Sequence, residues 1–293
     1  MMKIRRRYLV LLIISVCIVP GLAGCQLLDF LYLYPLVTAK EKKAPEEKYY
    51  NRNFAPLPAD VEAALSGGPV DSSKALKFED INDLLNPGYL EVENGYCINP
   101  DGTGFVAVRT DIPGATADMI QWWFWWHANK NIRYKIWCPG DHYAIRVKNE
   151  DQARDLSLTY EQRRVNNIHF PWEDTGTGPA ELSIRFVSPE TFDFDTSRFS
   201  EAGVEAVVCG VVGYVVAGVT VEHTRMTHVF RRNGSGLELR TRFWPGSVLA
   251  IEELRSLAIT EDVLKGLGRH CGREYNHLAE FLPEIYQELK DTF

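Results

Sequence analysis

The order of the elements constrains the fold more than any single motif: strands run from Glu181 to Trp244, then a helix from Thr260 to Leu289. Glu181–Val187, Val204–Thr220, Val221–Arg232 and Leu237–Trp244 are rich in β-branched and aromatic residues, the composition of strands. Gly210, Gly213 and Gly218 are expected to break the second, and Asn233-Gly-Ser-Gly236 reads as the hairpin turn between the last two. Thr260 is a suitable N-cap, and Glu261 and Asp262 supply acid to the first helical turn. Such a helix must bury its apolar stripe against the sheet, so the pattern predicts an α+β fold with a cavity between a curved sheet and the helix. Gly266, Gly268 and Gly272 weaken the helix locally, where it would pack closely over the sheet.

Upstream, Gly104–Ile112 alternates as a strand and closes at Pro113-Gly114. Ala117–Ala128, with Trp122-Trp-Phe-Trp-Trp126, reads as a short aromatic helix; it can fill a core, wall a pocket for a flat apolar substrate, or do both. Arg133–Cys138 looks strand-like and leads through Pro139-Gly-Asp-His142 into the strand Tyr143–Val147. Lys148–Arg164 is polar and reads as a surface excursion. Residues 56–95 hold short helical patterns, Asp60–Leu65 and Phe78–Leu85, in a small helical lead-in.

Residues 1–24 have the pattern of a lipoprotein signal peptide. Lys3, Arg5, Arg6 and Arg7 precede an apolar run from Tyr8 to Val19, and Gly21-Leu-Ala-Gly leads into Cys25. The expectation is an exported protein held at a membrane by lipid on Cys25, on the periplasmic face or cell surface; an uncleaved anchor helix would give the same placement. Residues 25–55, with the charged stretch Ala39–Lys48, are then a tether, and 56–293 one domain. The formal charge of -7 and the lack of a basic cluster beyond the N-terminus argue against nucleic acid as a partner. Export would also let Cys97, Cys138, Cys209 and Cys271 pair in any of three ways or remain small buried hydrophobes. Without a CxxC pattern, they do not suggest a cysteine-based zinc site.

His270 and Glu274 are one helical turn apart, so they share a face and can grip one divalent ion. The same spacing also suits a solvated surface pair. His142 at a hairpin mouth and Glu173 in an acidic, glycine-rich turn are further candidates. Of His223 and His228, whose odd spacing sends them to opposite strand faces, one can face the interior.

Taken in order from about residue 80, Trp122-Trp-Phe-Trp-Trp-His127, Arg133-Tyr-Lys-Ile-Trp137, His142, Trp172-Glu173, Thr227-His228, Arg240-Thr-Arg-Phe-Trp244 and His270-x-x-x-Glu274 resemble the 2,4-diacetylphloroglucinol hydrolase family. The resemblance implies a Bet v1-like helix-grip fold, a curved antiparallel sheet wrapped on a long C-terminal helix. It also implies zinc held by His142, Glu173, His270 and Glu274. Tyr134 would bind the substrate and His228 would line the pocket and move a proton. The implied reaction is hydrolysis of a carbon–carbon bond that removes an acyl group from an acylated phenol or similar aromatic ketone. Phe243 stands where the family has a substrate-contacting tyrosine, so one hydroxyl is missing. The alternative is a lipoprotein that binds an apolar or aromatic ligand in the same cavity without turning it over.

Overall fold

The protein is described here from a computed structural model covering residues 37–50, 53–249 and 252–293; the expected signal peptide and Cys25 lie outside the described residues. No described helix is long and apolar enough to cross a membrane. Eight antiparallel strands form one curved sheet: β1 (Gly95–Ile98), β2 (Gly104–Pro113), β3 (His142–Val147), β4 (Ile168–Asp174), β5 (Pro179–Val187), β6 (Val204–Val216), β7 (Val219–Arg232) and β8 (Gly236–Pro245). Their order in space is β1-β2-β8-β7-β6-β5-β4-β3, so a meander from β3 to β8 returns to pair with β2. The helices used below are α1 (Ala59–Ser66), α2 (Ala117–Trp126), α3 (Asn131–Lys135), α4 (Tyr160–Arg164), α5 (Glu261–Ala279) and α6 (Leu282–Leu289).

Both faces of the central strands are covered, because both sets of alternating side chains are apolar. On β2, Val106 and Val108 join the cluster formed with α2, α5 and α6, whereas Phe105 and Ala107 join one with the lead-in residues Leu76, Leu84 and Val92. The lead-in is therefore a cover for the outer face of the sheet. On the inner face Trp122, Trp123 and Trp126 are completely buried. At 150–250 Å² per large aromatic side chain, each contributes on the order of 5 kcal/mol of transfer free energy before entropic costs.

Several sequence expectations need correction. Arg133–Cys138 is not a strand; its first half belongs to the one-turn helix α3. Tyr134 faces the interior, Arg133 bonds Glu46 at 2.8 Å and Lys135 bonds Glu41 at 3.0 Å. With partners on every side, the turn shows no periodicity, and tertiary contacts override the β propensity of Tyr, Ile and Trp. The same ion pairs show that the expected tether packs on the body over residues 41–50, where Tyr49 is also buried. The C-terminal helix is two helices, α5 and α6, interrupted at Glu280-Phe281. Pro283 has no amide hydrogen, and its ring would strike the carbonyl of Ala279 in a continuous helix. β6 runs through Gly210 and Gly213, with a bulge at the latter, and ends at the Ala217–Gly218 turn. Lys148–Arg164 contains two short helices and buries Arg163 and Arg164. The four cysteines are all unpaired and buried.

The glycines of α5 mark close approaches, as expected. Gly176, in the turn after β4 with φ +102, presses its Cα side onto the backbone of Gly266, where an added Cβ would sit 2.7 Å from Cα. That contact joins the β4–β5 turn to the helix carrying His270 and Glu274. A Gly176→Ala chain is expected to lose about 2 kcal/mol from left-handed strain and overpacking, and about 4–8 °C in Tm. Thermal melts monitored by circular dichroism check this; an unchanged Tm would show that the contact is loose.

Candidate metal centre

His142 opens β3 and Glu173 lies near the end of β4, directly opposite each other in the ladder. Cross-strand partners at that register hold their side chains side by side. A bulge between His142 and Ala144 interrupts the regular pairing beside His142. From the other side, α5 delivers His270 and Glu274 one turn apart. All four side chains are buried.

Their donor atoms converge. His142 Nε2 lies 3.4 Å from His270 Nε2, 3.4 Å from Glu173 Oε2 and 3.5 Å from Glu274 Oε2, and His270 Nε2 lies 3.9 Å from Glu274 Oε2. Donors around a tetrahedral ion with bonds of about 2.0–2.1 Å are separated by about 3.3–3.4 Å, so the spacings suit one metal ion. One of the opposite ring nitrogens is backed in the way metal-binding imidazoles require, and the other faces a carboxylate beyond hydrogen-bond distance. His142 Nδ1 lies 3.1 Å from the Tyr134 carbonyl, and His270 Nδ1 lies 3.7 Å from Asp141 Oδ2. Arg273 Nη1, 3.2 Å from the same Asp141 oxygen, steadies that carboxylate.

The electrostatics fit a cation. Burial lifts the Glu274 carboxyl to about 8 against the pull of His270, and burial also raises Glu173. Burial alone would depress His270, but the Asp141 contact and the charges of Glu274 and Glu173 outweigh it and raise the ring to about 9. Burial and the neighbouring His270 hold His142 well below the usual range. A dication held there would offset the buried charge of both carboxylates and meet both imidazole nitrogens.

Cys138, Asp141, Thr241 and Tyr275 were not singled out by the sequence. The Cys138 Sγ lies within 4.8 Å of the His142 and His270 donor atoms, giving a second possible ligand group of one cysteine and two histidines. Burial and the Asp141 and Glu274 charges push its thiol well up, whereas a bound metal ion would favour the thiolate. Only the position of Asp141, immediately before a candidate ligand, signalled its place.

Tyr134 stacks on His142 with ring centres 3.9 Å apart, and its hydroxyl donates to Glu173 Oε2. His228, on the inner face of β7, bonds Thr241 Oγ1 through Nδ1 at 2.8 Å and touches Phe124, Phe243 and Tyr275. Burial lowers its pKa to about 3, so the ring is neutral near pH 7. Phe243 meets His228 edge-on with ring centres 5.9 Å apart and offers no hydroxyl. The tryptophans of α2 mainly fill the core against α6 and α3; Phe124 is the residue of that helix that faces His228. His223 lies apart from this group, stacked on Tyr214.

Comparison with known proteins gives a consistent set of relatives. The family model for the DAPG hydrolase PhiG domain matches residues 76–287. A phloretin hydrolase from Eubacterium ramulus is 35% identical over 267 residues, 88% of this chain and 94% of that one. A 2,4-diacetylphloroglucinol hydrolase from Pseudomonas protegens is 30% identical over 266 residues, 85% of this chain and 86% of that one. Among solved structures, a protein from Mycobacterium smegmatis aligns with a TM-score of 0.37 at 13% identity, over 63% of this chain and 96% of that one.

Proposed function

The chain belongs to the DAPG hydrolase family, and from that premise we propose that it is a zinc-dependent hydrolase that removes the acyl group from an acylated phenol by cleaving the carbon–carbon bond to the ring. The single observation that carries the reading is that His142 Nε2 lies within 3.5 Å of a donor atom from each of His270, Glu173 and Glu274, with its own Nδ1 backed by the Tyr134 carbonyl. His142, Glu173, His270 and Glu274 would hold the ion. When bound it would supply Lewis acidity, polarising a ketone or lowering the pKa of a water. The packing of α5 along β2 supports the reading, since that helix carries half of the donors.

The balanced reaction is acyl-arene plus water giving a carboxylic acid plus the deacylated phenol. Hydroxide from the water bonds to the acyl carbon, the bond to the ring breaks, and the ring carbon takes up a proton. The chain's own residues then have defined tasks. Tyr134, whose hydroxyl donates to Glu173, is the group that would turn to a substrate oxygen. Neutral His228 is placed to accept a proton and return it, with Thr241 fixing its ring. Phe124 and Phe243 give a flat, dry wall beside it. Without a hydroxyl at Phe243, the substrate must be recognised by other groups, which leaves its acyl arm open.

The test is to offer the zinc-loaded protein phloretin and 2,4-diacetylphloroglucinol in parallel and follow acid and phenol by chromatography. Equal amounts of acid and deacylated phenol, with His228→Ala slower by about a hundredfold, are expected. No acid from either compound, or from other acylphenols, with zinc bound would overturn the reading.

A further inference from the structure

The segment expected to be a surface loop carries a buried cation that the reaction above does not use. Arg164 closes the short helix α4, which is held by a capping box between Thr159 and Gln162. Its side chain points inward, with the guanidinium 5.6 Å from the Phe124 ring centre and 5.1 Å from that of Phe186. The residue is 1% exposed. One nitrogen reaches Gln121 Oε1 at 3.3 Å, and Nε and Nη1 have no partner among the described residues.

Other fully buried arginines are treated differently. Arg133 bonds Glu46 at 2.8 Å, and Arg240 and Arg242 share Glu93. Leaving a buried guanidinium without a counter-charge is expensive, and leaving two of its donors unpaired adds to that. The groups around it do not supply the charge. His127, His169 and His228 are all held neutral by burial, Cys209 and Tyr275 are held in their neutral forms, and Glu161 lies on the same helix without bonding it. Tyr275 presents a further unpaired hydroxyl. Among the described residues, this part of the interior is rich in donors and pairs Arg164 with no anion.

A run of ring contacts links it to the metal centre. Phe124 touches His228 and His127, His127 stacks on Tyr134, and Tyr134 stacks on His142. We propose that Arg164 is the anchor for an ionised ring hydroxyl of the substrate, so that the enzyme binds its acylated phenol as a phenolate, with the acyl group toward His142 and His270. This rests on the function proposed above. The chemistry suits it, because a hydroxyl conjugated to a ring ketone is a vinylogous acid and ionises more readily than phenol. Protonation of the acyl-bearing ring carbon turns the phenolate into a ring ketone, and the same oxygen takes the charge back when the carbon–carbon bond breaks, so the guanidinium that recognises the substrate also stabilises the leaving group.

The probe is 4-nitrophenol, whose phenol and phenolate absorb at different wavelengths, titrated into the full chain across a range of pH. The wild-type protein is expected to bind the phenolate about tenfold or more tightly than the phenol, so the bound probe ionises at lower pH than the free one. Arg164→Met should abolish that preference, and Arg164→Lys should restore part of it. Binding of the neutral phenol by wild type, or a wild-type phenolate spectrum and affinity in Arg164→Met, would overturn the proposal. If Arg164→Met does not melt cooperatively, the wild-type spectrum and Arg164→Lys decide. Phenolate capture without hydrolysis of any acylphenol would support the anchor and remove the hydrolase reading; hydrolysis without phenolate preference would do the reverse.

Discussion

If His142, Glu173, His270 and Glu274 hold zinc as proposed, replacing His270 by alanine should abolish metal binding and lower acylphenol hydrolysis by about a thousandfold. The imidazole contributes one of four converging donors, and its Nε2 lies 3.4 Å from that of His142. Losing it leaves His142 facing two buried carboxylates, Glu173 and Glu274, in a cluster with one fewer ligand. Metal ions supply several kcal/mol of transition-state stabilisation, and each 1.36 kcal/mol is tenfold in rate, so a thousandfold loss corresponds to about 4 kcal/mol. Mass spectrometry should find about one zinc per chain in the wild type and little in the variant. Cys138→Ser is the informative control. If the two histidines and two glutamates form the site, it keeps its zinc; if the cysteine belongs to the ligand group, zinc falls as in His270→Ala. Full zinc and full activity in His270→Ala would remove the metal centre altogether.

The parts of this centre differ in how far the sequence disclosed them. His270 and Glu274 are readable because helical spacing puts them on one face, and α5 forms with Thr260 capping it through the Val263 amide. His142 and Glu173 are far apart in sequence and meet only because β3 and β4 pair in one register. Nothing local encodes that pairing, so family resemblance, and not spacing, drew the two together. The strands from β5 to β8 were legible because their turns carry glycine and their runs are β-branched. Tyr134 was misplaced on a strand because a one-turn helix buried on all sides has no period to read. Arg164 was hidden for a related reason: arginine in a polar run is ordinarily solvated, and only the tertiary fold turns this one inward. The outer cover of the sheet was also invisible, since alternation on β2 and β8 is apolar or paired on both faces.

That second face yields the largest expected effect on stability. Along β8 the side chains alternate, so Thr241 and Phe243 meet His228 while Arg240 and Arg242 point to the opposite face. Both arginines are fully buried, and both lie on Glu93 at the end of the lead-in: Arg240 Nε at 3.1 Å and Arg242 Nη2 at 2.7 Å from its Oε2. Burial would raise the Glu93 carboxyl, but the two guanidiniums overcome this and bring it down to about 2. Glu93→Gln would leave two buried cations facing a neutral amide. Because breaking a buried pair is costly, we expect a loss of about 3 kcal/mol at pH 7 and a fall of about 6–12 °C in Tm. The pH dependence has a fixed sign. A carboxyl whose folded pKa is depressed contributes stability above its unfolded pKa, about 4.5, and loses that contribution as the pH falls toward about 2. The gap between wild type and variant should therefore be full at pH 7 and narrow progressively below about pH 4.5. Melting curves for both chains at pH 7 and at about pH 3 measure it. A gap that stays constant would mean that Glu93 acts through shape and hydrogen bonding alone. A gap that closes would show that one carboxylate fastens the lead-in to β8, and with it the strand whose other face steadies His228.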